Sequence, residues 1–194
     1  RHTGDAAIRN SHQADHRGSA ALELRNAKNC VFRNCRFESL SCWGADLRHG
    51  ATGNLFSRCE FVNLGSGAVK MSGGHADDPP ESYCGRNTVE NCSISHGGQR
   101  WSGSVALLIR HSGENTLRGN DISDFPYSGI SCGWTWGYQP SIAHDNRILG
   151  NSIHDLGHNR LVLDMGGIYL LGHQPGTIVA GNHIYNVSGR FFCW

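Results

Sequence analysis

The sequence predicts an all-β chain wound into a right-handed parallel β-helix of about six coils. The first observation is a repeated phrase: a polar or small residue, x, apolar, x, x, Cys or Asn, x, Phe or Ile. Its copies begin at Cys30, Asn54, Asn87, Asn115, Asn146 and Thr177, in steps of 24, 33, 28, 31 and 31 residues. A phrase returning at this period marks a solenoid, whose repeats bury their apolar faces only against one another. The second is the alternation of apolar and polar residues within each copy, as in Val179, Asn182 and Ile184, which is a strand period. The third is a glycine-opened apolar segment after most copies: Gly44-Ala45, Gly67-Ala68, Gly129-Ile130 and Gly167-Ile168. Glycine there permits a tight corner between sheets.

Aligning the copies turns sequence columns into ladders, because successive coils sit about 4.8 Å apart. The sixth position reads Cys35, Cys59, Cys92, Asn120, Asn151, Asn182, and the eighth Phe37, Phe61, Ile94, Ile122, Ile153, Ile184. Two positions on come Ser39, Asn63, His96, Asp124, Asp155 and Asn186. A stacked amide can accept from one coil and donate to another, and Cys is a small buriable side chain for the same turn. The coil starting at Asn87 departs from the pattern, with an excursion from Gln99 to Gly103 before an apolar strand over Val105–Ile109.

With 194 residues and nothing resembling a linker, residues 1–194 are expected to be a single β-helix domain. The chain opens mid-phrase and stops at Phe192-Cys193-Trp194 without a capping element, so a fragment truncated at both ends is expected. Its 26 glycines, about twice the ~7% average, suit a fold with several corners per coil. A formal charge of +1 gives no basis for nucleic-acid binding or an anionic membrane partner, and no apolar run could span a bilayer. Of the eight cysteines, Cys30, Cys35, Cys59 and Cys92 fall on repeat positions, where parallel Cβ vectors give poor disulfide geometry. Free buried thiols are expected. No CxxC pair exists, the His154/His158 spacing suits only a helix, and Gly65-Ser66-Gly67 lacks a following Gly-Lys-Ser/Thr. No metal and no cofactor are expected.

Functional residues should be polar where packing does not require it, and the second half holds several. Asp124 and Asp155 share a column in adjacent coils. The extra segment Leu156 to Leu163 precedes Asp164, which is expected to return beside Asp124 one coil over. Each aspartate alone could be a turn cap, but three converging carboxylates can divide acid and base roles. Gly133-Trp134-Thr135-Trp136-Gly137-Tyr138 reads either as a platform for sugar rings or as a cover over the open side of the coil. Tyr169 and His173 lie on the next strand and its exit. Trp134, Trp136, Tyr138, Asp155, Tyr169 and His173 are thus substrate-binding candidates.

The runs Asp124–Gly137, Asn151–Asp155 with Asp164–Tyr169, and Pro175–Thr177 with Asn182–Val187 resemble the signatures of parallel β-helix glycoside hydrolases. They are similar in particular to glycoside hydrolase family 141, whose fucosidases and xylanases act on complex plant polysaccharides. The likeness is specific over the second half and generic over the first. It implies a glycosidase acting through two aspartates, carried here onto Asp164 and Asp124, with retention of anomeric configuration. Leu161-Val162-Leu163 before Asp164 suggests a desolvated acid, with Asp124 as nucleophile. The implied partner is an oligo- or polysaccharide, and the implied location extracellular or periplasmic. Two alternatives stay open: a polysaccharide lyase on the same fold, disfavoured by few cations around Asp124–Tyr169, and a non-catalytic carbohydrate-binding solenoid.

Overall fold

The computed structural model describes residues 12–74, 76–157 and 164–189. Its strands form three parallel sheets of six, each taking one strand from every coil, and successive coils add to the same edge. This is a parallel β-helix of about six coils. The front sheet contains Ala20–Arg25, Trp43–Arg48, Val69–Ser72, Leu107–Arg110, Ile130–Gly133 and Ile168–Leu171. A short sheet of three-residue strands runs from Val31–Arg33 to Ile178–Ala180, and a bulged sheet from Arg36–Leu40 to His183–Val187. Each repeated phrase supplies one strand to the short sheet and one to the bulged sheet. The glycine-opened segment supplies the front sheet. The only helix among the described residues is a single 3-10 turn, Pro80–Ser82, so none is long and apolar enough to cross a membrane.

The expected columns are physical. Phe37, Phe61, Ile94, Ile122, Ile153 and Ile184 pair in register coil by coil. Phe61 through Ile153 are fully buried, and Phe37 stacks on Phe61 with ring centroids 4.6 Å apart. Shape-matched rings and branched chains at one strand spacing make a dense core without a second layer.

The Cys/Asn column is a hydrogen-bonded ladder. The backbone N–H of Asn120 donates to Asn151 Oδ1 at 3.0 Å, and that of Asn151 to Asn182 Oδ1 at 2.9 Å. The N–H of Cys92 donates to Asn120 Oδ1, and that of Cys59 to the Cys92 sulfur. A second ladder occupies the first position of the phrase, where the N–H groups of Cys30, Asn54, Asn87 and Asn115 each donate to the next coil's Asn Oδ1 at 3.0–3.1 Å. Cys30, Cys35, Cys42, Cys59, Cys84, Cys92 and Cys132 are all free thiols, the first three of them partly exposed.

Register in the front sheet differs from the glycine alignment by one residue in one coil. Ala45 pairs with Val69, Val69 with Leu107, Leu107 with Ile130 and Ile130 with Ile168. Ala68 therefore stands level with Gly44, Gly129 and Gly167, and Gly67 lies one position earlier. A Cβ at Gly67 would come within 2.4 Å of the Trp43 ring and 2.0 Å of Val105 O, so close approach accounts for this glycine. In the coil with the long excursion the strand is Leu107–Arg110, not Val105–Ile109.

Replacing Asn151 by Ala should cost roughly 1–3 kcal/mol, because two N–H donors lose a buried acceptor. Urea unfolding measures this, and a loss under ~0.5 kcal/mol would show that the ladder only follows the sheets. Burial pushes the Cys84, Cys92 and Cys132 thiols up to about 12. They should resist a disulfide reagent at pH 8 until the protein unfolds, as thiol counting with and without denaturant would reveal.

Candidate functional site

Ser39, Asn63, His96, Asp124, Asp155 and Asn186 all have φ between 51° and 56°. Ser123 pairs with His154 and Phe125 with Leu156, while Asp124 and Asp155 are skipped. The column is thus a bulge repeated in every coil, in the left-handed region that Asn, Asp and His tolerate best among residues with a Cβ. The backbone accounts for small polar residues here. Asp instead of Asn adds charge, and both carboxylates line a shallow groove of about 590 Å³ with His96, Leu156, Asn186 and Ser188. Asp124 lies 3.3 Å from His96 Nε2. Asp155 accepts from Asn186 at 3.0 Å and meets His154 Nδ1 at 2.7 Å.

Asp164 is not among the residues lining that groove. It precedes the last front strand, also at positive φ, and is exposed, unlike the desolvated setting expected for an acid. Residues 158–163 of the extra segment, including His158, lie outside the described residues. The Tyr169 hydroxyl donates to Asp164 Oδ2 at 3.1 Å, and the buried Tyr127 hydroxyl donates to Asp164 O at 2.8 Å. Burial first, then the Asp164 charge, push the Tyr127 phenol up to about 12. Gln13 Nε2 donates to Tyr127 Oη, tying this corner to the segment His12–Ser19.

The aromatic run leaves the other end of the front sheet. The strand Ile130–Gly133, about 13 Å long at ~3.3 Å per residue, separates it from the corner after Asp124. Trp134 is 6% exposed, with its ring 5.4 Å from that of His16, whereas Trp136 is 61% exposed and Tyr138 fully so. The Trp134 N–H donates to Leu171 O, which brings the exposed His173 turn alongside. Tyr169 and His173 thus serve opposite ends of one strand. Cover and open platform are both present: Trp134 packs, Trp136 and Tyr138 are available.

A group of residues not singled out in the sequence lies on the outer face of the front sheet. Asp46 and Lys70 are paired across strands and alternate with core residues, yet both are buried. The segment His12–Ser19 covers them: Lys70 Nζ donates to His16 O and Gly18 O, Trp43 donates to Asp15 O, and Ser66 donates to Asp15 Oδ2. Beside this strap is a groove of about 380 Å³ that includes Arg17, Arg48, Lys70 and Arg110. The sequence signal was Lys70 between Val69 and Met71, a charge inside an apolar strand. Among the described residues no group of three or more His, Cys, Asp or Glu side chains is placed to hold a metal.

Residues 20–193 match the family model of the right handed beta helix region. The chain belongs to that family. It is also similar to a solved structure named "Glycoside hydrolase", with a TM-score of 0.76 and 27% identity over 86% of this chain. The match covers 30% of that chain, so the present sequence spans under a third of its length. A comparison with curated proteins gives no match.

Partial burial lowers the pKa of His154, but hydrogen bonds to Asp155 and Asp121 outweigh it and hold the imidazole above its ordinary value. Asp155 is depressed by His154 first and Asn186 second. The His154 contribution to stability is complete below ~6.5 and lost as pH rises through its higher folded value. That of Asp155 is present above ~3.9 and lost as pH falls through its depressed value. Asp155→Asn should therefore lower the His154 titration midpoint, followed by NMR of the ring protons. An unmoved midpoint would assign the shift to Asp121 alone.

Proposed function

We propose that this protein is a glycosidase-type β-helix module acting on a polysaccharide, with aspartates as its acid and nucleophile. The observation that carries the reading is the 27% identity and TM-score of 0.76 to a glycoside hydrolase over 86% of the chain. The likeness of its second-half blocks to glycoside hydrolase family 141 extends it toward plant polysaccharides and a retaining mechanism.

Asp164 is the proposed acid. It is open to a substrate, and the Tyr169 hydroxyl orients its carboxylate. Asp124, in the preceding coil, is the proposed nucleophile, and Asp155 in the same groove is its alternate. In a retaining reaction the acid protonates the departing glycosidic oxygen while the carboxylate attacks the anomeric carbon. Water then cleaves the glycosyl ester, giving its proton to the same acid residue. Trp136 and Tyr138, exposed on the front-sheet exit, offer faces for neighbouring sugar rings.

Reducing-end release from plant polysaccharides should be measured for the wild type and for Asp124→Asn, Asp155→Asn and Asp164→Asn. Loss of turnover by several orders of magnitude in Asp164→Asn and one of the other two, with folding intact, is expected. Full activity in Asp164→Asn would end the acid assignment. Sugar binding without turnover would favour a carbohydrate-binding solenoid, and products absorbing in the ultraviolet would favour a lyase.

A further inference from the structure

The groove on the outer face of the front sheet gathers four cationic side chains, Arg17, Arg48, Lys70 and Arg110, with His16 and His49 at its walls and Asp78 as the acidic side chain of its lining. Two of the four are already committed. The buried carboxylate of Asp46 takes Arg48 on Oδ2, Lys70 Nζ at 3.3 Å and the Ser72 hydroxyl at 2.9 Å. Glu23 adds a 3.6 Å contact to Arg48.

Arg110 is different. Its side chain sits one strand beyond Ser72 in the same outward register column. Its Nε, like that of Arg48, is buried with no hydrogen-bond partner among the described residues, but Arg48 has Asp46 and Glu23 at its terminal nitrogen. No carboxylate of the described residues lies within ion-pair distance of its guanidinium. Burial, then the nearby Arg17 charge, lower its pKa, with Asp46 pulling the other way. The Nε of this half-buried guanidinium has lost water without gaining an acceptor, a cost that a bound anion can offset.

We propose that this groove is a subsite for an anionic sugar, with Arg110 as the principal contact for a uronic acid carboxylate. The planar guanidinium presents parallel N–H donors that match a carboxylate's two oxygens. The site is preorganised, since Lys70 is anchored to the strap carbonyls and to Asp46 before any ligand binds. Its ~380 Å³ falls in the range of small-molecule sites, roughly 300–1,000 Å³. His16 at the groove wall is backed by a buried ring. The next residue in the Arg110 register column is Gly133, which leads directly into Trp134, and Trp134 packs on His16 at the groove wall. An unpaired cation in a compact groove suits an acidic sugar better than an extended polyanion, for which a net charge of +1 supplies no field.

The proposal rests on the carbohydrate reading of the front face and not on which aspartates cut. The test is NMR titration of the protein with glucuronate, galacturonate, glucose and glucose 6-sulfate, in low and high salt. The uronates should bind more tightly than glucose, and more weakly as salt rises. Arg110→Gln should weaken uronate binding roughly ten- to hundredfold, while Arg110→Lys, with charge but no fork, should recover part of it. Asp164→Asn should bind uronate as the wild type does, whatever happens to hydrolysis, which separates this site from the catalytic assignment. Uronates binding no better than glucose, or a folded Arg110→Gln that binds them unchanged, would overturn the proposal. Tighter binding of glucose 6-sulfate than of either uronate would overturn the carboxylate assignment. If Arg110→Gln fails to fold, Arg17→Gln and the salt dependence decide the same question.

Discussion

At two positions in almost every coil a backbone N–H turns away from the sheets, and the side-chain oxygen of the following coil accepts it. Asn54, Asn87, Asn115 and Asn146 do this along one edge, and Asn120, Asn151 and Asn182 along another. The same amides donate back to earlier carbonyls, as Asn151 does to Leu117 O and Asn87 to Ala51 O. An unmade bond of this kind inside a protein costs about 1–3 kcal/mol, so a coil sliding by one residue would forfeit several together. The ladders thereby lock register, and register sets which outward side chains stand beside one another on the front sheet.

That locking explains why chemistry on this scaffold comes in columns. The bulge residues share one left-handed conformation, and changing identity along the column from Ser39 to Asp124 and Asp155 alters charge without altering the backbone. A repeat can thus acquire carboxylates at no conformational penalty, one coil spacing apart. Asp164 escapes this rule by belonging to a corner, where Tyr127 and Tyr169 hold it.

The front sheet has a different logic. Its outward face would ordinarily be solvated, but the strap His12–Ser19 closes over Asp46, Lys70 and Trp43. Low-dielectric surroundings strengthen the Asp46 network and make Arg110, which has no such partner among the described residues, the group with most to gain from a ligand. Gln13 reaches toward the Asp164 corner while His16 meets Trp134. One short segment therefore touches both ends of the sheet that carries the proposed chemistry.

The periodic phrase by itself determined the solenoid, its number of coils, the Cys/Asn ladder and the Phe/Ile core column, because parallel stacking converts a sequence period directly into contact between like residues. The neighbour relation of Asp124 and Asp155 was legible for the same reason. The companion ladder through Asn54 and Asn87 was visible as the first position of the phrase, although its bonding was not. Tertiary structure alone decided the rest. Gly67 fell one residue out of the glycine alignment because the Trp43 ring needs the space, a contact between coils that local sequence does not encode. The split between a buried Trp134 and an open Trp136 depends on His16, more than a hundred residues away in the chain. The burial of Lys70 depends on the same segment, through His16 O and Gly18 O. Such sites are assembled by a segment lying outside the repeat, and periodicity carries no information about where a non-repeating segment will dock.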